Sequence, residues 1–303
     1  MKTRLKKTGK PRLLIIGCGD VGLRLLALLR ERFRIFAVTS QPARCAELRA
    51  AGAIPLLANL DCRASLARLA GLAPTIVHLA PPRAEGEGDR RTQNLIAILP
   101  EGGRLVYIST TGVYGDCGAQ RFDETRSVAP QNARARRRVA AEQSLRAWAR
   151  GRRAHLSILR VPGIYAAERL PLDRLRKGTP ALIAADDVYT NHIHADDLAY
   201  LIVLSLMRAR PQRVYHAVDD SDCKMAEYFD AVAAAFALPA APRLARAELA
   251  QQVSPLLLSF MSESRRMHNT RIKAELGARL RYPSVTQGIA AAAAAHLLKS
   301  APT

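Results

Sequence analysis

Residues 12–33 read RLLIIGCGDVGLRLLALLRERF. The stretch opens on an apolar, β-prone run at 12–16. It passes through three glycines in GCGDVG at 17–22, then carries apolar residues at helical spacing. That order is strand, glycine turn, helix. Gly17, Gly19 and Gly22 form the pattern GxGxxG. In such a turn the first glycine permits the bend and the second lets a pyrophosphate approach the backbone. The third lets the helix pack closely on the strand. Backbone N–H groups at the helix start, from Asp20 and Val21 onward, then face the anion. Three glycines alone would be a weak signal, and a purely structural turn is the alternative. The flanking strand and helix supply the context the pattern needs.

The same alternation continues downstream. RIFAV (34–38) reads as a second strand, and ARCAELRAAG as a helix closed by Gly52. AIPLLANL is a short strand ending at Asn59 and Leu60, and SLARLAGL (65–72) a helix. TIVHLAPP is a buried strand running into a proline turn, QNLIAIL a helix and RLVYIST another strand. Strands alternating with helices imply a parallel sheet covered on both faces. The expected fold is therefore α/β, a Rossmann-type doubly wound parallel sheet over residues 12–165. The segment 195–218 is expected to return to it, and 166–303 to form a smaller C-terminal substrate-binding lobe. Residues 1–11 read as a basic, disordered tail.

Composition narrows the function. The chain has 303 residues and a net charge of +20, from 46 Lys and Arg against 26 Asp and Glu. Such an excess invites a nucleic-acid reading. However, the arginines are spread along a chain that is also rich in alanine, as GC-rich coding produces, and only 5% of residues are aromatic. That leaves little for base-stacking platforms, so nucleic acid is not the expected partner. No apolar run approaches the ~18 residues that a membrane helix needs. Five cysteines, at 18, 45, 62, 117 and 223, show no paired or zinc-binding spacing. A reducing, cytoplasmic setting and no metal site are expected.

The end of the second strand bears on the cofactor. An acid there would hold the ribose 2′-OH of NAD, and an arginine nearby would accommodate the 2′-phosphate of NADP. Val38, Thr39 and Ser40 end the strand and Arg44 follows, with no acid in place. The expectation is NAD(P), leaning to NADP. Against this, Arg44 is one arginine in an arginine-rich chain.

Several ordered segments now resemble one family. VHLAPP (77–82) resembles the fourth-strand segment beside the cofactor in the extended short-chain dehydrogenase/reductase group, the NAD-dependent epimerase/dehydratase family. TQNLI (92–96) resembles the helix after it, and RLVYISTTGVYG (104–115) the strand carrying the catalytic Ser/Thr. LRVPGIY (159–165), HIHADDLA (192–199) and NTRIKAELG…RYPS (269–284) resemble later segments of the same family. The resemblance implies that Leu79, Ala80, Pro81 and Pro162 border the cofactor and that Asn59 and Leu60 lie beside adenine, Asn59 in place of the family's Asp. It places the catalytic hydroxyl on Thr110, between Ser109 and Thr111. It also makes a homodimer and a small-molecule substrate the expected partners.

The catalytic helix departs from the family. Its frame P-x-x-x-Y-x-x-x-K-x-x-x-E falls on Pro130, Arg134, Arg138 and Glu142. Arg138 can replace lysine as a fixed cation on the ribose. Arg134 cannot replace tyrosine as an acid at neutral pH, because guanidinium keeps its proton, though it can bind an anionic or carbonyl substrate. Both arginines also suit a solvated helix face. Tyr114, Tyr165 and His194 are the nearest groups that could supply the missing acid. Packing is the competing role for Tyr114, and hydrogen-bonded structure for His192, His194, Asp196 and Asp197. The combination resembles the atypical members of the superfamily, the YeeZ-type proteins among them. Two functions stay open: an oxidoreductase or epimerase/dehydratase-like enzyme acting by hydride transfer on a small polar substrate, and a non-catalytic NAD(P)-binding regulator or sensor.

Overall fold

The run Arg12–Ile16 forms the first strand, β1, and Leu13–Ile16 lie entirely inside. The computed structural model describes residues 9–300, so most of the expected basic tail lies outside the described residues. After the glycine turn, α1 (Asp20–Leu29) buries Gly22, Leu25, Leu26 and Leu29. These are the i, i+3, i+4 and i+7 positions of one face. The chain continues through β2 (Arg34–Thr39), α2 (Cys45–Ala50), β3 (Ile54–Leu57), β4 (Thr75–His78), α3 (Arg90–Ile96) and β5 (Arg104–Thr110). Further along come α4 (Ala133–Gly151), β6 (His155–Val161), α5 (Ala195–Arg208) and β7 (Arg213–His216).

The seven strands form one parallel sheet in the order β3-β2-β1-β4-β5-β6-β7. Ile16 at the end of β1 pairs with Val38 on one side and His78 on the other. The chain leaves β1 toward β2 and β3, then crosses back to β4 on the opposite side. That reversal opens a crevice at the carboxyl ends of the strands, where doubly wound sheets bind ligands. One expected helix is different. The stretch 65–72 forms a 3₁₀ segment, Arg63–Leu69. Gly71, at φ +65°, and Pro74 stop it before α-helical turns can propagate.

The chain divides into two compact units. One holds the residues up to Ser109 together with Arg136–Leu159 and Ala199–Val214. Its core includes Leu14, Ile16, Phe36, Tyr107, Leu145 and Trp148. The other holds Thr110–Ala135, Arg160–Leu198 and the chain from Tyr215 onward. Its core gathers Tyr165, Leu175, Phe229, Val232 and Ile289. Within this second unit the short strand Gly163–Tyr165 pairs in parallel with His192–His194. Gly288, in the alanine-rich helix Val285–Ser300, admits the Tyr165 ring; a Cβ there would lie 2.4 Å from its hydroxyl.

All five cysteines are free thiols. Among the described residues, no helix is long and apolar enough to cross a membrane. Nor does any group of three or more His, Cys, Asp or Glu among them suit a metal ion.

Candidate functional site

The turn after β1 floors a groove of about 260 Å³ in the first unit. Its walls come from the residues that follow four strands: Gly17, Cys18 and Gly19 after β1; Thr39, Ser40, Gln41 and Arg44 around the end of β2; Ala58, Asn59 and Leu60 after β3; Ala80 and Pro81 after β4. Gly17 has φ +81°, and a Cβ on it would meet Ala80 backbone atoms at 2.7 Å. The loops after β1 and β4 therefore touch only because residue 17 has no side chain. Gly19 differs: a Cβ there would meet nothing within 4 Å. Gly22 faces inward, where a Cβ would crowd Cys18 Sγ at 2.7 Å and Leu79 Cδ1 at 3.4 Å. Thus Gly22 and Leu79 pack the turn from beneath rather than line the groove. No side chain caps α1, whose first turn holds Asp20 and Val21; the Asp20 carboxylate pairs with Arg24 Nε at 3.1 Å.

Charge in the groove comes in pairs. Arg44 donates from Nη1 to the Cys18 carbonyl at 2.6 Å and from Nε to Glu47 Oε2 at 2.9 Å. Arg91 grips both Asp61 carboxylate oxygens, at 3.0 and 2.8 Å, and its hydrogen bond holds that carboxyl below the usual range. The Thr39 hydroxyl accepts from the Gln41 amide at 3.1 Å and shapes the bend after β2. Beneath Leu79, His78 is fully buried, and desolvation pushes its pKa down to about 3. Thr92 gives its hydroxyl proton to Asp89 at 2.5 Å, so its oxygen accepts from His78 Nε2 at 3.1 Å.

At the carboxyl end of β5 three hydroxyls have separate fates. Ser109 is buried and donates to Glu142 Oε1 at 2.6 Å. Thr111 is buried in the following turn. Thr110 is half-buried and accepts from the Gly112 amide at 3.3 Å. Arg138 reaches the same strand from α4. Its Nη1 donates to the Ile108 carbonyl at 2.9 Å and to the Tyr107 hydroxyl at 3.0 Å. Four residues earlier on the helix, Arg134 is exposed, and its charge acts on the guanidinium of Arg265. Burial brings the pKa of Arg265 down to about 10. That side chain pairs with Glu263 and donates to the Gly115 carbonyl at 3.0 Å.

The alternative proton donors are all buried, and both tyrosine hydroxyls already donate within the protein. Tyr114 is buried with its hydroxyl 2.6 Å from His216 Nε2, and it accepts from Arg160 Nη1 at 2.6 Å. His216 Nδ1 donates to the His268 carbonyl at 2.9 Å, so Nε2 is the acceptor for Tyr114. This placement favours the packing role for Tyr114. Tyr165 is 2% exposed and donates to the Ser284 carbonyl at 3.3 Å. His194 is buried with its ring against Tyr282, and its Nδ1 accepts from the Asp196 amide at 3.2 Å. His192 packs on Tyr228, and burial pushes its pKa down to about 4, which leaves it neutral at pH 7. Asp197 accepts from the amides of Arg281 and Tyr282 at 2.7 and 2.9 Å, a structural role. Pro162 sits in the second unit, between β6 and the strand Gly163–Tyr165.

Sequence reasoning missed Cys18, Gln41, Ala58 and Arg91 in the groove, and Arg265. The first three directly neighbour foreseen positions, so extending each strand-end motif by one residue would have found them. Arg91 and Arg265 carry no such signal, because each is one arginine among many.

Strand order and glycine turn define a Rossmann-like α/β architecture. Residues 94–285 match the family described as the RmlD substrate binding domain. A functionally unknown conserved protein from Silicibacter pomeroyi DSS is 30% identical, covering 94% of this chain and 99% of its own, with a TM-score of 0.80. The UDP-glucose 4-epimerase of Thermotoga maritima, solved with UDP-glucose, superposes at a TM-score of 0.76 with 14% identity over 95% and 99% of the chains. The dTDP-glucose 4,6-dehydratase of Bacillus anthracis str. Ames, solved with NAD, gives 0.76 with 14% identity over 96% and 97%. At those identities the last two show the fold alone. No curated protein matches this chain. The chain belongs to the RmlD substrate-binding-domain family.

Proposed function

We propose that this chain is an NAD(P)-binding oxidoreductase or epimerase/dehydratase-like enzyme that acts by hydride transfer on a small polar substrate. The observation that carries the reading is convergence. Gly17, Gly19, Thr39, Ser40, Arg44, Asn59, Leu60, Ala80 and Pro81 come from separate loops and line one groove. The space beside Gly19 is what a pyrophosphate needs to reach the backbone.

In this reading Gly17, Gly19 and the amides of Asp20 and Val21 bind the pyrophosphate, and Gly22 with Leu79 keeps the turn rigid. Asn59 and Leu60 flank the adenine. Thr39, Ser40 and Arg44 receive a ribose 2′-phosphate, which favours NADP over NAD. Ala80 and Pro81 border the rest of the cofactor. A bound nicotinamide would supply or accept the hydride. Arg138, fixed on β5, holds the ribose hydroxyls, and Thr110 orients the reacting oxygen. Arg134 keeps its proton and attracts an anionic group, with Arg265 adding positive charge near it. A nucleotide sugar such as the UDP-glucose held by the Thermotoga epimerase has that chemistry. We further propose a cytoplasmic homodimer; sedimentation equilibrium checks the oligomeric state.

A non-catalytic NAD(P)-binding regulator is the second reading. One observation favours it: Tyr114, Tyr165 and His194 are buried and already hydrogen-bonded. A screen of NADPH and NADP⁺ with nucleotide-sugar and carbonyl substrates separates the two. Turnover that disappears in Thr110→Val supports the enzyme. Tight cofactor binding with no turnover across the panel supports the regulator.

A further inference from the structure

Two cations line the groove, and their carboxylate partners hold them differently. Arg91 is fixed: it grips both oxygens of Asp61, donates to the Pro81 carbonyl at 3.1 Å, and shares Asp61 with Arg83 at 3.5 Å. Arg44 is held more loosely. Its Nε and Nη2 both lie on the single oxygen Oε2 of Glu47, at 2.9 and 2.8 Å, from the N-cap of α2 to its first turn. The Glu47 side chain is 48% exposed. The remaining arm of Arg44 reaches the Cys18 carbonyl in the glycine turn. The fork therefore ties α2 to the phosphate-binding loop, with a negative charge at its back.

We propose that Glu47 sets the cofactor preference of the groove by competing with the ribose 2′-phosphate for the Arg44 guanidinium. This rests on the cofactor reading above. A phosphate presents more charge and more acceptor oxygens to an arginine fork than one carboxylate oxygen does. It can therefore displace Glu47 from an exposed pair, but it then sits close to the displaced carboxylate and is repelled by it. A ribose diol carries no charge and feels neither effect. Arg44 thus draws NADP in while Glu47 limits the advantage, and the chain binds both dinucleotides with a muted preference.

The test is calorimetric titration of the full chain with NADPH and with NADH, in the unmutated protein, Glu47→Gln, Arg44→Ala and the double variant. Glu47→Gln keeps the side-chain shape and removes the charge, and circular dichroism checks that each variant is folded. The expected result is NADPH binding about tenfold tighter in Glu47→Gln, with NADH changed less than about twofold. The gain should vanish when Arg44 is already alanine, because the two residues act through one contact. An unchanged NADPH-to-NADH ratio in Glu47→Gln overturns the proposal, as does the same gain without Arg44. If the unmutated protein binds neither dinucleotide, the cofactor reading itself fails, and this proposal with it.

Discussion

Ser109 gives its hydroxyl proton to Glu142 across 2.6 Å inside the first unit. The pair is buried on both sides, so this serine anchors α4 to the end of β5 and has no proton left for a substrate. Thr110, one residue on, is the half-buried hydroxyl of the three. Two variants should therefore part company. Ser109→Ala leaves a buried carboxylate short of a donor and should cost about 1–3 kcal/mol of stability. Thr110→Val should fold normally and lower turnover by about 100-fold if the enzyme reading holds. Denaturant melts and steady-state rates read the two effects separately.

Gly17 and Gly19 should also behave differently. Alanine at 17 would need φ near +81° and would collide with Ala80, so Gly17→Ala should lose on the order of 2–4 kcal/mol of stability. Alanine at 19 has open space around it. Gly19→Ala should melt close to the unmutated protein yet bind dinucleotide at least about tenfold more weakly, since the methyl occupies the pyrophosphate's approach. Thermal melts and cofactor titrations check both. Equal loss of stability in the two variants would contradict this division.

The network around Tyr114 makes a third prediction. Tyr114→Phe removes the group that Arg160 and His216 both use. Stability should fall by about 1–3 kcal/mol, because a buried guanidinium and a buried imidazole each lose a partner. Rates corrected for the folded fraction should not change. A selective loss of turnover with stability intact would return Tyr114 to the list of acids.

Asp219 ties stability to pH. The residue is 3% exposed, and burial pushes its carboxyl pKa from 3.8 to about 7, with Asp220 and Asp197 adding repulsion against hydrogen bonds from Ser221. The folded chain thus keeps a proton that the unfolded chain releases near pH 4. Between these values the folded state binds more protons, so this group's contribution falls as pH rises from about 4 through 7. Asp219→Asn should remove that loss. Its stability relative to the unmutated protein should improve by on the order of a few kcal/mol between pH 5 and 8. Urea melts across that range check it, and a difference independent of pH would contradict it.

Much of this was readable in the sequence, for definable reasons. The glycine turn and the strand ends announce themselves, because glycine, proline and alternating apolar runs have local causes. Gly17, Gly19, Thr39, Ser40 and Arg44 follow from those runs, and Asn59, Leu60, Ala80 and Pro81 from the family resemblance. What stayed hidden depends on distant partners. Nothing local says that Ser109 is spent on Glu142, 33 positions away, or that Tyr114 meets His216, 102 positions away. Arg44 was legible as a candidate for the 2′-phosphate, but its capture by Glu47 was not, since an i,i+3 pair on an arginine-rich surface looks ordinary. The helix expected at 65–72 gave way because Gly71 and Pro74 truncate it, an effect of length rather than of pattern.

The central claim is that the groove floored by Gly17 and Gly19 holds a dinucleotide, with Arg44 on the 2′-phosphate. Calorimetric titration of the unmutated chain with NADPH and NADH tests it most directly. Saturable one-site binding of both, tighter for NADPH, with the gap narrowed in Arg44→Ala, is the predicted result. No binding of either dinucleotide, or equal affinities that Arg44→Ala leaves unchanged, would contradict it.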